Sequence, residues 1–326
     1  MATVHEPRVL DPATAPWREV RRRTSAPSGL EGEGFPVKRA FAGVPLEELD
    51  PFIHLDEMGR VDYGPGEPKG TPWHPHRGFE TVTYLLDGAF EHQDSMGGGG
   101  ALAPGDVQWM TAGRGILHIE RPPERLVVSG GVFHGFQLWV NLPRVLKWAP
   151  PRYQDVRGGE LGIGHTADGG ALVKVVAGTL GGVEGPAATH WPVTVAHVLA
   201  EQGAQARIPV AGLRTCLVYV FEGMALLGQE ATEVGPSQLA VLGEGAGLVM
   251  TAPRGRVQAL VLAGQPIGEP IAWYGPFVMN TRAELRQAFE DYQAGRLGVE
   301  PVAHVQASEL AVGVAPNPRE DPGVSR

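Results

Sequence analysis

Trp73-His74-Pro75-His76 at one end and Gly115-Ile116-Leu117-His118-Ile119-Glu120 at the other bracket the stretch around which this 326-residue chain is organised. Between them run short apolar segments punctuated by Asp87-Gly88, by four glycines at 97–100 and by Pro104-Gly105-Asp106. Residues two apart on a β-strand share a face, so His74 with His76, and His118 with Glu120, each aim two ligand-type side chains one way. Three imidazoles and a carboxylate can then converge on one point. Such a mixed nitrogen and oxygen set suits a first-row metal ion and leaves positions open if the ion is octahedral. Open positions imply chemistry rather than bracing. The competing reading is a set of ordinary sheet histidines paired by accident. It is weakened because HxH and HxE occur together, 44 positions apart, each beside Gly or Pro turns.

Working outward, 46 glycines and 29 prolines point to many turns and short strands rather than long helices. The length allows two domains of ordinary size. A net charge of −9 gives no general reason to bind nucleic acid or an anionic membrane, and neither partner is expected. Arg21-Arg22-Arg23 reads as a solvated strand or turn before it reads as a contact site. One cysteine, Cys216, sits inside the apolar run 213–221, so no intrachain disulfide forms and a small buried hydrophobe is expected. The first sixteen residues lack the basic-then-apolar pattern of a secretion signal, and nowhere do 18 apolar residues run together. This places the protein in the cytoplasm, and with no feature demanding a dimer it is expected to be a monomer.

The strand expectations are Val37–Phe41, Pro51–Leu55, Phe79–Leu86, Ala89–His92, Val107–Thr111, Leu126–Ser129 and Phe133–Val140. A linker is expected at Pro143–Pro151, and a second β-rich segment from about Leu172 to Leu262. The glycines at 97–100 make a hairpin loop rather than a phosphate cradle, since no helix start or Lys-Ser/Thr follows. Thr281 and Glu284 fit a capping box, Leu285, Ala288, Phe289 and Tyr292 recur at helical spacing, and Gly295 suits the left-handed stop. One amphipathic helix over 281–295 follows.

The two β-rich segments echo each other. Tyr84-x-x-Asp87-Gly88 matches Tyr219-x-x-Glu222-Gly223, and the stretch from Pro104 to Gly113 matches that from Pro236 onward. Aligned on those glycines, His74 and His76 fall on Pro209 and Ala211, and His118 and Glu120 on Leu248 and Met250. The second copy would be structural, and no metal is assigned to it.

These residues resemble a known family. The strings His74-Pro-His-Arg-Gly-Phe-Glu-Thr-Val82, Gln108-Trp-Met-Thr-Ala-Gly-Arg-Gly-Ile-Leu-His118, Gln137-Leu-Trp-Val-Asn-Leu142 and Tyr274-Gly-Pro-Phe-Val-Met-Asn280 are similar to the pirin branch of the cupin superfamily. The resemblance implies an all-β bicupin: a metal-binding N-terminal barrel over 1–145, a C-terminal barrel without ligands over 146–298 closed by the helix, and a mobile tail over 299–326. It implies one metal ion per chain held by His74, His76, His118 and Glu120, with iron favoured and Mn, Co, Ni, Cu or Zn acceptable to the same donors. Many other cupins use a carboxylate near Glu80. A residue four positions beyond His76 lies about 13 Å further along a strand, so Glu80 is expected behind the ligands, fixing a histidine tautomer.

The family divides between quercetin-type dioxygenases, which open a flavonol ring with O₂ and release carbon monoxide, and an iron-dependent transcriptional co-regulator acting through protein contacts. Three neutral imidazoles and one carboxylate leave a divalent ion a net +1, which favours an anionic bidentate ligand such as a flavonolate. The reading adopted is therefore a dioxygenase acting on a small aromatic substrate with O₂, with Glu120 as candidate general base. The alternative is a non-catalytic redox sensor with a protein partner. An isomerase or storage-type cupin is the weaker third reading. Trp73, Phe79, Met96 and Leu117 are the pocket candidates beside the ligands. His92 and His134 are the acid-base candidates, with a structural role the more usual for each.

Overall fold

The computed structural model of the protein describes residues 7–210 and 212–298. Its β-strands form two cupin-type halves, each with a small and a large antiparallel-dominated sheet. In the first half the small sheet orders His74–His76, Ile116–Arg121, Phe90–Asp94 and Gly99–Leu102; in the second, Gln205–Pro209, Gly247–Thr251, Ala225–Leu227 and Thr232–Val234 follow the same order. The internal repeat is thus a repeat of topology. His118 lies opposite His74, and Leu248 lies opposite Ile208. The position matching His74 is therefore Ile208, one residue before Pro209. The slip arises because residues 77–78 connect the small sheet to the large one in the first half, whereas residues 210–214 do so in the second. Ala211 lies outside the described residues, as does the tail over 299–326.

The large sheets also match. One runs Arg152–Val156, Val107–Thr111, Phe79–Asp87, Gly131–Asn141, Phe52–Tyr63, Phe35–Arg39, Ser28–Glu31. The other runs Val20–Ser25, Gln238–Leu242, Thr215–Glu222, Val257–Gly264, Val193–Ala200, Ala171–Ala177, Gly162–His165, with Arg8–Val9 added at the edge. Each half lends the other an outer strand. Val20–Ser25 pairs with Gln238–Leu242, and Arg152–Val156 pairs with Val107–Thr111. Three strands therefore cross a division at 145, and the segment before Phe35 carries strands of both sheets. Arg22 within it pairs with Glu48 at 2.8 Å.

The two large sheets pack face to face. Along Thr215–Glu222, Leu217, Tyr219 and Phe221 meet Val82, Tyr84 and Phe136 of the first half, while Cys216, Val218 and Val220 turn into the interior of the second. A strand buried on both faces reads as an unbroken apolar run, which is why that segment shows no alternation. Cys216 is fully buried and its thiol is pushed up to about 11 by that burial. Ile208, Val210, Leu248 and Met250 fill the second interior with hydrocarbon. Each such side chain contributes about 1.5–3 kcal/mol.

The helix spans Arg282–Gln293 with the expected box, Thr281 Oγ1 accepting from Glu284 N and Glu284 Oε2 from Thr281 N. It does not close the second half. Leu285, Ala288 and Phe289 pack with Phe277, Trp73 and Leu117, on the back of the strands that carry the histidines. Arg77, next to His76, reaches the helix through Asp291 at 2.6 Å.

Two local expectations fail. Leu126–Ser129 lies in the short helix Glu124–Ser129, which starts after Pro122-Pro123 and leaves Val128 in solvent. The Pro143–Pro151 stretch is not a loose linker. Arg144–Leu146 forms a 3₁₀ turn that drives Lys147 inward, where Nζ donates to Gly78 O, Asn141 Oδ1 and Val278 O at 2.7–2.9 Å. Burial draws that amine down to about 7, yet the three acceptors match the three protons of an ammonium.

Candidate metal centre

His74 and His76 occupy a three-residue strand, and His118 and Glu120 the neighbouring one, so antiparallel pairing brings the first residue of each pair face to face. The candidate donor atoms of His74, His76 and His118 lie within 4.8 Å of one another. Those of His92, His118 and Glu120 do the same, which makes His118 common to both groups. Ring centroids of His74 and His76 stand 4.2 and 4.8 Å from that of His118.

The tautomers follow from the partners. His74 Nδ1 is 2.9 Å from Pro72 O and His76 Nδ1 is 3.2 Å from Pro276 O. A carbonyl only accepts, so both Nδ1 atoms carry hydrogen and both Nε2 atoms keep a free lone pair. His118 Nδ1 stands 3.3 Å from His92 Nδ1, and His118 Nε2 is buried without a hydrogen-bond partner. An orphaned buried nitrogen is costly unless something outside the protein binds it. Burial, then the neighbouring imidazoles, hold His76 and His118 well below the usual histidine range, and burial lowers His74 too. The rings are neutral, the form that ligates metal.

Glu120 is anchored from the opposite side. Thr83 Oγ1, with one proton to give, is 2.9 Å from Glu120 Oε1 and 2.6 Å from Gln137 Oε1; Gln137 Nε2 donates to Glu120 Oε2 at 3.4 Å. His92 in turn places Nε2 3.5 Å from Asp94 Oδ2. Burial raises the Asp94 carboxyl, but His92 and the N–H groups of Gly98 and Met96 outweigh it, so its acidity is strengthened overall. Neutral histidines with fixed tautomers, an orphaned Nε2 and a hydrogen-bonded carboxylate form a donor set that fits a metal ion.

The cluster opens into a cavity of about 640 Å³ lined in part by His74, His76, Glu120, Gln137, Trp139 and Trp273. The four pocket candidates do not line it. Trp73 and Leu117 each adjoin a ligand in sequence, and neighbours on a strand point to opposite faces; both pack under the helix. Phe79 is buried beside Trp139, ring to ring at 4.3 Å, and meets His76 in a T-shaped contact at 5.0 Å. Met96 sits exposed in a turn. Glu80 is fully buried, but its Oε1 meets Thr111 Oγ1 at 2.7 Å and His190 Nδ1 at 2.9 Å. It orients a histidine of the second half, not one of the four candidate ligands. His134 pairs with Glu57 at 3.0 Å among aromatic rings where the halves meet, whereas His92 is within reach of the cluster. The walls that sequence reasoning passed over are His54, Asp56, Gln137 and Trp139. Cross-strand register pairs Asp56 with Gln137 and His54 with Trp139, and the i, i+2 spacing of His54 with Asp56 and of Gln137 with Trp139 was the available signal.

Residues 34–140 match the Pirin family model and residues 195–298 the Pirin C-terminal cupin domain model. The chain belongs to the pirin family. It is 42% identical over 267 residues to a candidate quercetin 2,3-dioxygenase of Pseudomonas aeruginosa, covering 81% of this chain and 93% of that protein. It is 39% identical to rat pirin over 83% of this chain and 90% of the relative. A crystal structure of quercetin 2,3-dioxygenase from Acinetobacter baumannii superposes with a TM-score of 0.82 at 37% identity, covering 86% of this chain and 99% of that one. Within this pirin-family fold His74, His76 and Glu120 line the cavity of the first half, and the fully buried His118 is the residue their donor groups share. Among the described residues no helix is long and apolar enough to cross a membrane.

Proposed function

We propose that this pirin-family chain is a metal-dependent dioxygenase that opens a flavonol of the quercetin type with O₂ in the cytoplasm. His74, His76, His118 and Glu120 would hold one ion, most suitably iron. The observation that carries the reading is the placement of neutral, tautomer-fixed histidines at the floor of a cavity walled by Trp139 and Trp273. Cavities of this size and lining take drug-sized aromatic ligands.

A metal bound there supplies Lewis acidity that stabilises a deprotonated, chelating hydroxyl. The chain's own groups do the rest. Trp139 and Trp273 present apolar faces that exclude water and orient a planar ring. Glu120 lines the cavity, and its carboxylate, held in place by Thr83 and Gln137, is the group placed to take the hydroxyl proton. The Pro72 and Pro276 carbonyls and His92 keep the imidazoles from turning away.

The test is O₂ uptake by iron-reconstituted protein on adding quercetin, with His118→Ala beside it. Uptake that the substitution abolishes supports both the reaction and the ligand set. No uptake, with one iron bound per chain, sinks the dioxygenase and leaves a non-catalytic, redox-sensing role.

A further inference from the structure

One pair of polar side chains in the cavity takes no part in the chemistry above. His54 and Asp56 lie two apart on the strand Phe52–Tyr63 and both line the cavity. His54 Nε2 is 3.1 Å from Asp56 Oδ2. A carboxylate has no proton to give, so the tautomer that suits this contact puts the hydrogen on Nε2 and leaves a lone pair on Nδ1. Among the described residues Nδ1 has no hydrogen-bond partner. Asp56 is 3% exposed, and its second oxygen, Oδ1, is buried with no partner at all. Among the described residues nothing donates to Nδ1 of His54 at the cavity wall, while Asp56 Oδ1 is buried behind it. A buried acceptor left unpaired costs free energy that a ligand donor would recover.

The surroundings fix what that donor belongs to. The His54 ring is held by two indoles, with centroids 5.2 Å from Trp139 and 6.0 Å from Trp273. Trp139 also stands 5.2 Å from His76, so one indole links the dyad to the metal centre. A planar ligand laid along Trp139 with its chelating oxygens beside His76 would carry its other end to His54. Arg39, the cation on this wall, is engaged by Glu31 and Leu30 O, so no free positive charge invites an anion there.

We propose that His54 and Asp56 form a hydroxyl-accepting subsite that selects aromatic ligands bearing a phenolic hydroxyl remote from their metal-chelating oxygens. The inference rests on the flavonol reading and deepens it: the preferred substrates are polyhydroxylated, not merely chelating. His54 is a specificity residue and Asp56 its positioning residue.

The test compares anaerobic binding of two probes to the iron-loaded protein, followed by quenching of tryptophan fluorescence. Quercetin carries remote hydroxyls, whereas 3-hydroxyflavone has the same chelating pair and no other hydroxyl. The native protein should prefer quercetin by about 3- to 10-fold, the worth of one net hydrogen bond. His54→Leu should remove that preference, and Asp56→Asn should reduce it; the latter keeps size and shape and serves if the former does not fold. Equal binding of both probes by the native protein, or a quercetin preference that survives both substitutions, overturns the subsite alone. Binding of neither probe overturns the flavonol reading, and the subsite with it.

Discussion

Two small sheets with the same strand order do opposite things in this molecule. In the first half the paired strands present His74, His76, His118 and Glu120; in the second the register-matched positions present Ile208, Val210, Leu248 and Met250. The backbone is therefore not what makes the candidate metal centre. What differs is the shell. The first half supplies Pro72, Pro276, His92, Thr83 and Gln137 as partners for the polar side chains, whereas hydrocarbon packed without a polar partner surrounds the second set.

The strongest way to break the comparison is to make the first half like the second. We predict that His118→Leu with Glu120→Met abolishes metal retention, measured as metal per chain after dialysis. In the metal-free state the same pair should raise the unfolding midpoint, since it removes an orphaned buried nitrogen worth about 1–3 kcal/mol. The reverse exchange should fail. Leu248→His places an imidazole among alkyl groups, so it should bind no metal and lower stability by about 2–4 kcal/mol in a denaturant titration. Metal binding by that variant would refute the claim that the shell decides.

Removing one member of the shell should give a graded effect. Gln137→Leu strips a donor from Glu120, and we predict a 10- to 100-fold loss of metal affinity, about the usual consequence for an outer-shell partner, read by competition with a chelator. The smallest effect concerns the seam between halves. His197 accepts from Tyr84 OH through Nδ1, donates to Gln258 through Nε2, and is lowered to about 3 by burial, then by Lys174. Its unfolded counterpart protonates near 6.5, so the unfolded state takes up protons first as pH falls. Stability is full above 6.5 and drops by about 1.4 kcal/mol per pH unit below it, until the folded pKa is reached. His197→Gln should flatten that limb in urea titrations between pH 6.5 and 4.5. An unchanged slope would mean that the seam tolerates the charge.

Much of this was legible. The HxH and HxE pairs predict convergence because strand periodicity is local, and the capping box at Thr281 predicts a helix start because its bonds span three residues. Trp73 and Leu117 show the limit. Proximity in sequence suggested pocket walls, yet alternation turns them to the opposite face, under a helix almost 170 residues away in sequence from Leu117. Glu80 shows another. Its polar type marked it as a supporting group, but the histidine it supports, His190, comes from the other half.

The sequence by itself determined the periodic elements, the topological repeat, the lack of HxH and HxE pairs in its second copy and the family pattern of the candidate donors. These depend on spacing along a strand or on strings of adjacent residues. Only the tertiary structure decided that the helix backs the first half, that outer strands are exchanged, that Pro276 fixes the tautomer of His76, and that His54 and Asp56 face the cavity with acceptors unpaired. Those outcomes turn on which face meets which, and hydrogen-bond satisfaction across long chain separations is settled only when the sheets pack.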